Sequence, residues 1–194
     1  MQTRRSQLNP EFAPLELLDR ARGGDGDAWS QIVHELGPRV QGYAQGKGIL
    51  DAEDVVQDVF TAAARQIGDF DGEWRAFRSW IFSIAYRQIV NRYRSPSRHD
   101  GELPRVLVDE DHIGPDQAVV IREMASEAVA AMDVLSEIER DVVLLRVIAG
   151  LDTAEVAKAV GKRAGNVRVI QSRALAKVRA ELERRGYIME ERQP

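Results

Sequence analysis

The sequence predicts an all-α protein with two small helical domains joined by a flexible acidic linker. Apolar residues recur at helical spacing along most of the 194 residues, whereas the strict alternation typical of half-buried strands is almost absent. A polar stretch, interrupted by proline and glycine, separates the two helical parts. The predicted divisions are an N-terminal extension with a short helix, a first domain, the linker, a second domain and a tail, at 1–23, 24–95, 96–115, 116–186 and 187–194.

The composition limits the functions that this chain can have. Hydrophobic residues make up 44% and charged residues 30%, which is typical of folded water-soluble proteins. No apolar run approaches the ~20 residues of a membrane span, and the N-terminus lacks the apolar core of a secretory signal. There is no cysteine, and the three histidines are scattered, so thiolate zinc sites and disulfides are excluded. We expect a cytoplasmic protein with no membrane insertion, no metal, no cofactor and no catalytic residue.

In the first part of the chain, helical periodicity predicts helices at 14–22, 28–45, 51–67 and 74–94. We expect a break in the second helix at Gly37-Pro38, because proline disrupts a helix interior. Asp51 is predicted to cap the third helix, with Asp54 as its capping-box partner. The side chains predicted to be buried on the last two helices are Val55, Val59, Ala63, Ile67, Phe77, Ile81, Ile84, Ala85 and Ile89.

The second part of the chain carries a two-helix motif. Helical signal resumes at Asp116, and Ser136 is predicted to cap a new helix with Glu139 as its capping-box partner. A short helix over 153–160, a turn at Gly161, and a second helix from about 164 are typical of a helix-turn-helix. The side chains predicted to face its core are Val156, Ala157, Val160, Val167, Ile170, Ala174 and Val178.

The charges are unevenly distributed along the chain. The sequence has 27 basic and 31 acidic residues, a net charge of −4. Residues 74–99 hold six arginines and no acid, and residues 158–179 hold seven basic residues and no acid. Between them, residues 96–131 hold three arginines and eight acids. The two basic stretches are therefore the predicted nucleic-acid contacts, although solvated charge alone is the alternative.

In a helix-turn-helix, the second helix enters the major groove by its N-terminal half. Arg168 is suited to a bidentate bond with guanine, and Val169 to contact with a thymine methyl group. Gly165 permits close approach, and basic residues at the flanks suit phosphates. The alternative is an ordinary helical hairpin with basic sides. The candidate DNA contacts are Lys162, Arg163, Asn166, Arg168, Val169, Ser172, Arg173 and Lys177.

The long helix over 74–94 carries a second face beside its apolar stripe. This face combines an aromatic ring, hydrogen-bonding groups and cations: Trp80, Ser83, Arg87, Asn91 and Arg94. Bases removed from a duplex need aromatic or polar pockets, and the backbone needs cations. The alternative is that the aromatic residues of this helix are simply core residues.

Two other functions are compatible with these patterns. One is a stand-alone helix-turn-helix regulator that binds operator DNA, with the N-terminal domain as sensor or dimeriser. The other is a metal-dependent nuclease that uses Asp51, Glu53, Asp54 and Asp58. These carboxylates lack a nearby histidine, and their position complements the dipole of a helix N-terminus, which makes a metal site the weaker interpretation.

Three segments of the chain resemble the extracytoplasmic-function group of the sigma-70 family. They are DAEDVVQDVFTAAARQI from Asp51, the pattern F-x-G-x-W-R-A-F-R-S-W-I-x-x-I-A from Phe70, and LSEIERDVVLLRVIAGLDTAEVAKAVGKRAGNVRVIQSRALAKVR from Leu135. With their order and spacing, the resemblance covers about 24–182. It implies a bacterial transcription initiation factor that directs core RNA polymerase to promoters.

The resemblance also implies partners and roles for individual residues. Asp54, Gln57 and Asp58 would dock on the clamp helices of the largest polymerase subunit, with the flap as a second polymerase contact. Residues 163–173 would read the minus-thirty-five element, the acidic linker would thread polymerase channels, and an anti-sigma factor would inhibit the protein. The residues that would recognise and melt the minus-ten element are Asp71, Trp74, Arg75, Trp80, Arg87, Asn91 and Arg94.

Overall fold

In the computed structural model, which describes residues 14–94 and 126–187, helices make up both predicted parts of the chain. The N-terminal part contains α1 (Pro14–Arg22), α2 (Gly26–Gly46), α3 (Ala52–Gln66), a 3₁₀ turn (Ile67–Asp69) and α4 (Trp74–Arg94). The C-terminal part contains helical residues 126–131, a 3₁₀ turn (Met132–Val134), α5 (Glu137–Val147), α6 (Thr153–Ala159) and α7 (Ala164–Arg184). The described ranges contain no strand, and the all-α prediction is confirmed.

Helix α4 lies at the centre of the N-terminal domain, where it packs against α1, α2 and α3. Every side chain predicted to be buried on α3, α4 and the turn between them is buried. Phe82 and Ser79 are buried as well, which a single apolar stripe did not predict. Phe82 packs edge-on against Tyr43 of α2, with 6.2 Å between the ring centroids, and α4 also packs against α6 of the C-terminal domain, so more than one side of the helix is covered.

The predicted break in α2 at Gly37-Pro38 is wrong, because the helix continues through both residues. Proline removes one backbone hydrogen bond and crowds the preceding turn. Ile32, Leu36 and Val40 are fully buried on either side of it, and this packing holds the helix together across the proline.

The N-terminal cap of α3 differs from the prediction. Asp51 stands at the N-cap position of α3, but its side chain makes no capping hydrogen bond, so the predicted capping box with Asp54 is wrong. Its backbone is not extended, with ψ at 56°, and the carboxylate is therefore not aimed at the first N–H groups. Asp25 is the residue that caps, since its Oδ1 accepts the N–H groups of Asp27 and Ala28 at 2.9 and 3.1 Å.

The C-terminal domain has the predicted helix-turn-helix. Glu139 Oε2 accepts the backbone N–H of Ser136 at 2.9 Å, as expected for the predicted cap of α5. Gly161 has a φ of +65° in the turn between α6 and α7, a conformation that favours glycine. The predicted core residues are buried, except that Ile170 and Val178 are half-buried.

The two domains pack against each other through α2 with α5 and α4 with α6. One cluster of buried apolar residues runs across both domains, from Leu17 in α1 to Val167 in α7. The sequence did not predict this interface. The predicted linker at 96–115 and the helical signal from Asp116 to residue 125 lie outside the described residues. In the part of the chain that is described, no helix has the length and apolar character needed to cross a membrane.

Candidate nucleic-acid and polymerase interface

The first half of α7 presents its candidate DNA contacts on an exposed face. Val167 and Ala174 are buried against α6 and α5, which turns the residues between them outward. Val169 is 50% exposed, which leaves its apolar surface available for contact with a thymine methyl group. The exposed candidates are Lys162, Arg163, Asn166, Arg168, Val169, Ser172, Arg173 and Lys177.

Lys177 differs from the other candidates because its side chain forms an ion pair within the C-terminal domain. Its Nζ lies 2.8 Å from both carboxylate oxygens of Glu139, the capping-box partner of Ser136 at the start of α5. The ammonium group of Lys177, followed by the backbone and hydroxyl of Ser136, lowers the pKa of Glu139 to about 2. Lys177 therefore has a structural partner, and its contact with DNA phosphate stays a prediction.

Gly165 lies in the first turn of α7, and apart from its chain neighbours and its own helix backbone, no atom of the described residues lies within 4 Å of where its Cβ would be. Its backbone is helical, so neither a positive φ nor close packing inside the described protein explains the choice of glycine. Glycine lowers helix stability by up to about 1 kcal/mol relative to alanine in a helix interior. The open space leaves room for an external surface to approach here, and close approach of DNA at Gly165 stays a prediction.

The aromatic residues of α4 form a cluster with Phe70 from the preceding loop. Phe77 is fully buried, as the core interpretation predicted. Trp80 stacks on Phe70 with 5.0 Å between ring centroids, and Trp74 stacks on Phe77 at 5.7 Å. Both tryptophans are half-buried, so each is held by the core on one side and accessible on another.

The polar candidates for the minus-ten element lie in the loop before α4 and along the later turns of α4. Asp71, Arg87 and Asn91 are exposed, and Arg87 and Asn91 share one face of α4 with Trp80. Arg94 ends α4, and its side chain lies outside the described residues.

Arg22 of α1 positions the loop before α4, a role that the sequence did not reveal. Its guanidinium donates to the carbonyl oxygens of Phe70 at 3.2 Å and Gly72 at 3.0 Å. It also lies 5.8 Å from the centre of the Phe70 ring, within the range of a cation–π contact. This residue therefore fixes the loop that carries Asp71.

Arg75 lies apart from the other minus-ten candidates because its side chain contacts the C-terminal domain. Its guanidinium forms ion pairs with Asp152 and with Glu155, the latter at 3.0 Å. Arg78, one turn further along α4, donates to the carbonyl oxygen of Gly150 at 3.3 Å. Part of the basic stretch at 74–99 therefore contacts the C-terminal domain near the start of α6 and is not fully available to a nucleic acid.

The three polymerase-docking candidates lie on the exposed side of α3. Asp54 and Gln57 are exposed there, and Asp58 is paired with Arg92 of α4 at 2.5 Å. Among the residues that the structure describes, no group of three or more histidine, aspartate or glutamate side chains is arranged to hold a metal ion. Asp51, Glu53, Asp54 and Asp58 are therefore not brought together as a metal site.

Two family models match the chain in the order of its domains. Sigma-70 region 2 matches residues 32–99, and Sigma-70, region 4 matches residues 131–180. The RNA polymerase sigma factor CnrH of Cupriavidus metallidurans is 31% identical over 188 residues, which cover 91% of this chain and 97% of CnrH. The chain belongs to the extracytoplasmic-function group of the sigma-70 family. It is an RNA polymerase sigma factor.

Two further comparisons place this sigma factor among its relatives. The extracytoplasmic-function sigma factor SigD of Mycobacterium tuberculosis is 27% identical over 179 residues, covering 88% of this chain and 84% of SigD. A solved structure of CnrH in complex with the cytosolic domain of CnrY matches with a TM-score of 0.65 and 26% identity, covering 89% of this chain and 98% of that one. The presence of both regions in order favours a sigma factor over a stand-alone operator-binding regulator.

Proposed function

We propose that this sigma factor docks on core RNA polymerase through α3, recognises the minus-ten element with α4 and the loop before it, and reads the minus-thirty-five element with α7. In this proposal residues 24–95 form the region-two domain, 96–115 the linker and 116–186 the region-four domain. The observation that carries the proposal is the exposed, acid-free face of α7 beside an exposed Gly165 that nothing inside the described protein requires.

Specific reading of the minus-thirty-five element is assigned to two neighbouring side chains of α7. Arg168 offers two parallel N–H donors for the O6 and N7 atoms of guanine, and Val169 offers an exposed apolar surface. Arg163 and Arg173 flank them and suit phosphate oxygens, which set the register of the helix without reading sequence.

Capture of the minus-ten element is assigned to the aromatic cluster and the polar face beside it. The half-buried rings of Trp74 and Trp80 are held rigidly by Phe70 and Phe77, so little side-chain freedom is lost when a base stacks on them. Arg87, Asn91 and Arg94 supply hydrogen bonds and positive charge to the separated strand. Stacking of about 1–3 kcal/mol per base offsets part of the cost of unpairing.

Binding to polymerase is assigned to Asp54, Gln57 and Asp58 on α3, with the flap as a second contact for the C-terminal domain. These side chains need only complementary charge and hydrogen bonding on the polymerase. The protein performs no covalent chemistry in this scheme and needs no cofactor or metal. It works in the cytoplasm, where polymerase and chromosomal DNA are found.

An anti-sigma factor is proposed as the inhibitory partner. Support comes from the solved structure of the relative CnrH, which is a complex with the cytosolic domain of CnrY. Purification from the native host without an inducing signal should return the sigma factor with a second small protein. Recovery of core polymerase with no inhibitor would contradict this part of the proposal.

The base-reading role of Arg168 is tested by run-off transcription with core polymerase on a library of minus-thirty-five variants. Arg168→Ala is expected to relax selection at one base pair and to weaken binding to the preferred sequence by ~1–3 kcal/mol. Arg173→Ala, the same change on the same helix, is expected to weaken binding to all minus-thirty-five sequences alike. An unchanged sequence preference in Arg168→Ala would show that this residue does not read a base.

A further inference from the structure

The loop before α4 is packed tightly against the aromatic cluster of that helix. The Phe70 ring lies edge-on to Phe77, with 5.5 Å between ring centroids, and stacks on Trp80 at 5.0 Å. A Cβ on Gly72 would lie 3.0 Å from Phe70 Cζ, so glycine at this position lets the ring pack directly against the loop backbone. The aromatic cluster therefore supports the loop from one side.

Arg22 holds the same loop from α1. Its Nε donates to the Phe70 carbonyl and its Nη2 to the Gly72 carbonyl, and these two residues flank Asp71. Its Nη1 donates to Asp19 Oδ1 at 2.7 Å, so every nitrogen of the guanidinium has an acceptor. Because the guanidinium is planar and its donors form a rigid fork, these contacts fix the direction and separation of both carbonyl groups.

Apolar side chains attach α1 to the domain independently of Arg22. Leu17, Leu18 and Ala21 are almost fully buried and belong to the apolar core. Burial of these side chains is enough to hold a helix of this length against the domain. Replacement of Arg22 should therefore leave α1 in place and affect mainly the loop.

Asp71 is the residue of this loop that the fork leaves exposed. Its side chain makes no hydrogen bond or ion pair with any residue that the structure describes. A carboxylate accepts hydrogen bonds and is repelled by phosphate. In a nucleic acid it therefore suits the exocyclic amino group of an unpaired base, which thymine lacks, better than the backbone.

The rigidity of the loop determines how well such a carboxylate can discriminate. An exposed loop loses conformational freedom when it binds, and a loop that is already held by Arg22 and Phe70 loses less of it. The carboxylate of a fixed loop also meets a base from one direction. A loose loop adjusts to several bases and discriminates less among them.

We propose that Arg22 is a positioning residue for promoter opening: it fixes the loop backbone on both sides of Asp71, so that the Asp71 carboxylate selects one unpaired minus-ten base by its exocyclic amino group. The proposal rests on the role assigned to Asp71 and its loop in the proposed function. It extends the minus-ten site to α1, which lies outside the segments that the two family models match.

Run-off transcription by holoenzyme from a library of minus-ten variants tests the role of Arg22. At each minus-ten position, the base preference is the ratio of transcript from the best base with an amino group to transcript from thymine. We expect Arg22→Gln to reduce this ratio about threefold or more at one position. Preferences within the minus-thirty-five element should not change, because α7 is untouched.

Arg20→Gln is the matched control for the loss of charge. Arg20 lies two residues earlier on α1, where it pairs with Asp25 at 2.7 Å instead of the loop carbonyls. This variant removes the same charge from the same helix, and it should keep the wild-type preference at every minus-ten position.

Arg22→Lys separates the fork from the charge. Lysine keeps the positive charge but lacks the planar pair of donors, so the preference should fall at the same position as in Arg22→Gln. Wild-type preference in Arg22→Lys would overturn the positioning role, since charge alone would then be sufficient. Arg22→Lys also decides the matter if Arg22→Gln does not fold, as followed by thermal unfolding.

Asp71→Asn tests whether Arg22 acts through Asp71. An amide donates as well as accepts, so discrimination against thymine should fall in this variant. Once the carboxylate is gone, adding Arg22→Gln should change the ratio at that position by less than about twofold. Fully multiplicative effects of the two changes would overturn the proposal.

The outcomes separate this proposal from the proposed function. Wild-type preference in Arg22→Gln, together with an altered preference in Asp71→Asn, would overturn the positioning role and leave the minus-ten role of the loop intact. Unchanged preference in both variants would overturn both.

Discussion

At the scale of single residues, Gly165 is a position where helix stability and the proposed contact with DNA favour different residues. It occupies the first turn of α7 with a helical backbone, an exposed position and open space around its missing Cβ. Gly161, four residues earlier, has the opposite character, since its φ of +65° makes glycine a structural requirement of the turn. The backbone therefore requires glycine at position 161 and does not require it at position 165.

Gly165→Ala is predicted to stabilise the protein and to weaken its binding to duplex promoter DNA. Alanine fits the helix and reduces the freedom of the unfolded chain, a gain of up to ~1 kcal/mol in the free energy of unfolding. The added methyl group meets the approaching DNA. Urea unfolding and duplex binding measure the two effects.

The matched variant Gly161→Ala should instead lower the free energy of unfolding, because alanine is strained at positive φ. If Gly165→Ala left DNA affinity unchanged, the prediction that DNA approaches closely at this position would be wrong.

At the scale of helices, the N-terminus of α5 is held both by its own capping box and by a contact from α7. Glu139 accepts hydrogen bonds from the backbone and hydroxyl of Ser136 and from Lys177 of α7. One carboxylate therefore completes the capping box of α5 and connects α5 to α7, the helix that carries the candidate DNA contacts.

Glu139→Gln is predicted to lower the free energy of unfolding at neutral pH by ~1 kcal/mol, through a weaker cap and the loss of the ion pair. Because folding lowers the pKa of Glu139 from 4.5 to about 2, its stabilisation is complete above pH 5 and is lost as the pH falls towards 2. The difference between wild type and variant, followed by urea unfolding at several pH values, should shrink over this interval.

Glu183→Gln is the control for this titration. Glu183 pairs with Arg179 on the exposed surface of α7, where such a pair contributes ~0.5 kcal/mol or less. A gap between wild type and Glu139→Gln that stayed constant down to pH 2 would contradict the assigned capping role.

Helix positions could be predicted from the sequence, but some of their boundaries could not. Periodic apolar residues located α3, α4, α6 and α7, because burial of one face decides where a helix forms. The caps at Asp25 and Asp51 depend on the backbone angles of single residues, which composition does not reveal. The effect of Pro38 depended on packing by Ile32, Leu36 and Val40 from both sides.

At the scale of the whole molecule, the contact between the domains is the feature that sequence patterns missed. The exposed positions in the first half of α7 could be predicted, because they follow from helical spacing within one element. The partners of Arg75 lie 77 and 80 residues away, and nothing local indicates them. The contact of Gly46 could not be predicted from local sequence either. Gly46 is the last residue of α2, and it lies directly against Leu144 of α5.

Gly46→Ala is predicted to loosen the interface. A Cβ at this position would lie 2.7 Å from Leu144 Cδ2, and Leu144 is 1% exposed and has little room to move. Small-angle X-ray scattering should show a larger radius of gyration than in wild type. Gly26→Ala, in the same helix with open space around it, should leave the radius unchanged. An unchanged radius in Gly46→Ala would mean that Leu144 repacks and the domains stay closed.

The central claim is that this chain gives core RNA polymerase a choice of start sites through two promoter elements. The most direct measurement is transcription of a genomic library by core polymerase with and without the purified chain, with the 5′ ends of all transcripts mapped. The account predicts a new set of start sites that share two upstream elements at a constant spacing, and a change in the minus-thirty-five element of that set with Arg168→Ala. Start sites identical to those of core polymerase alone would contradict it.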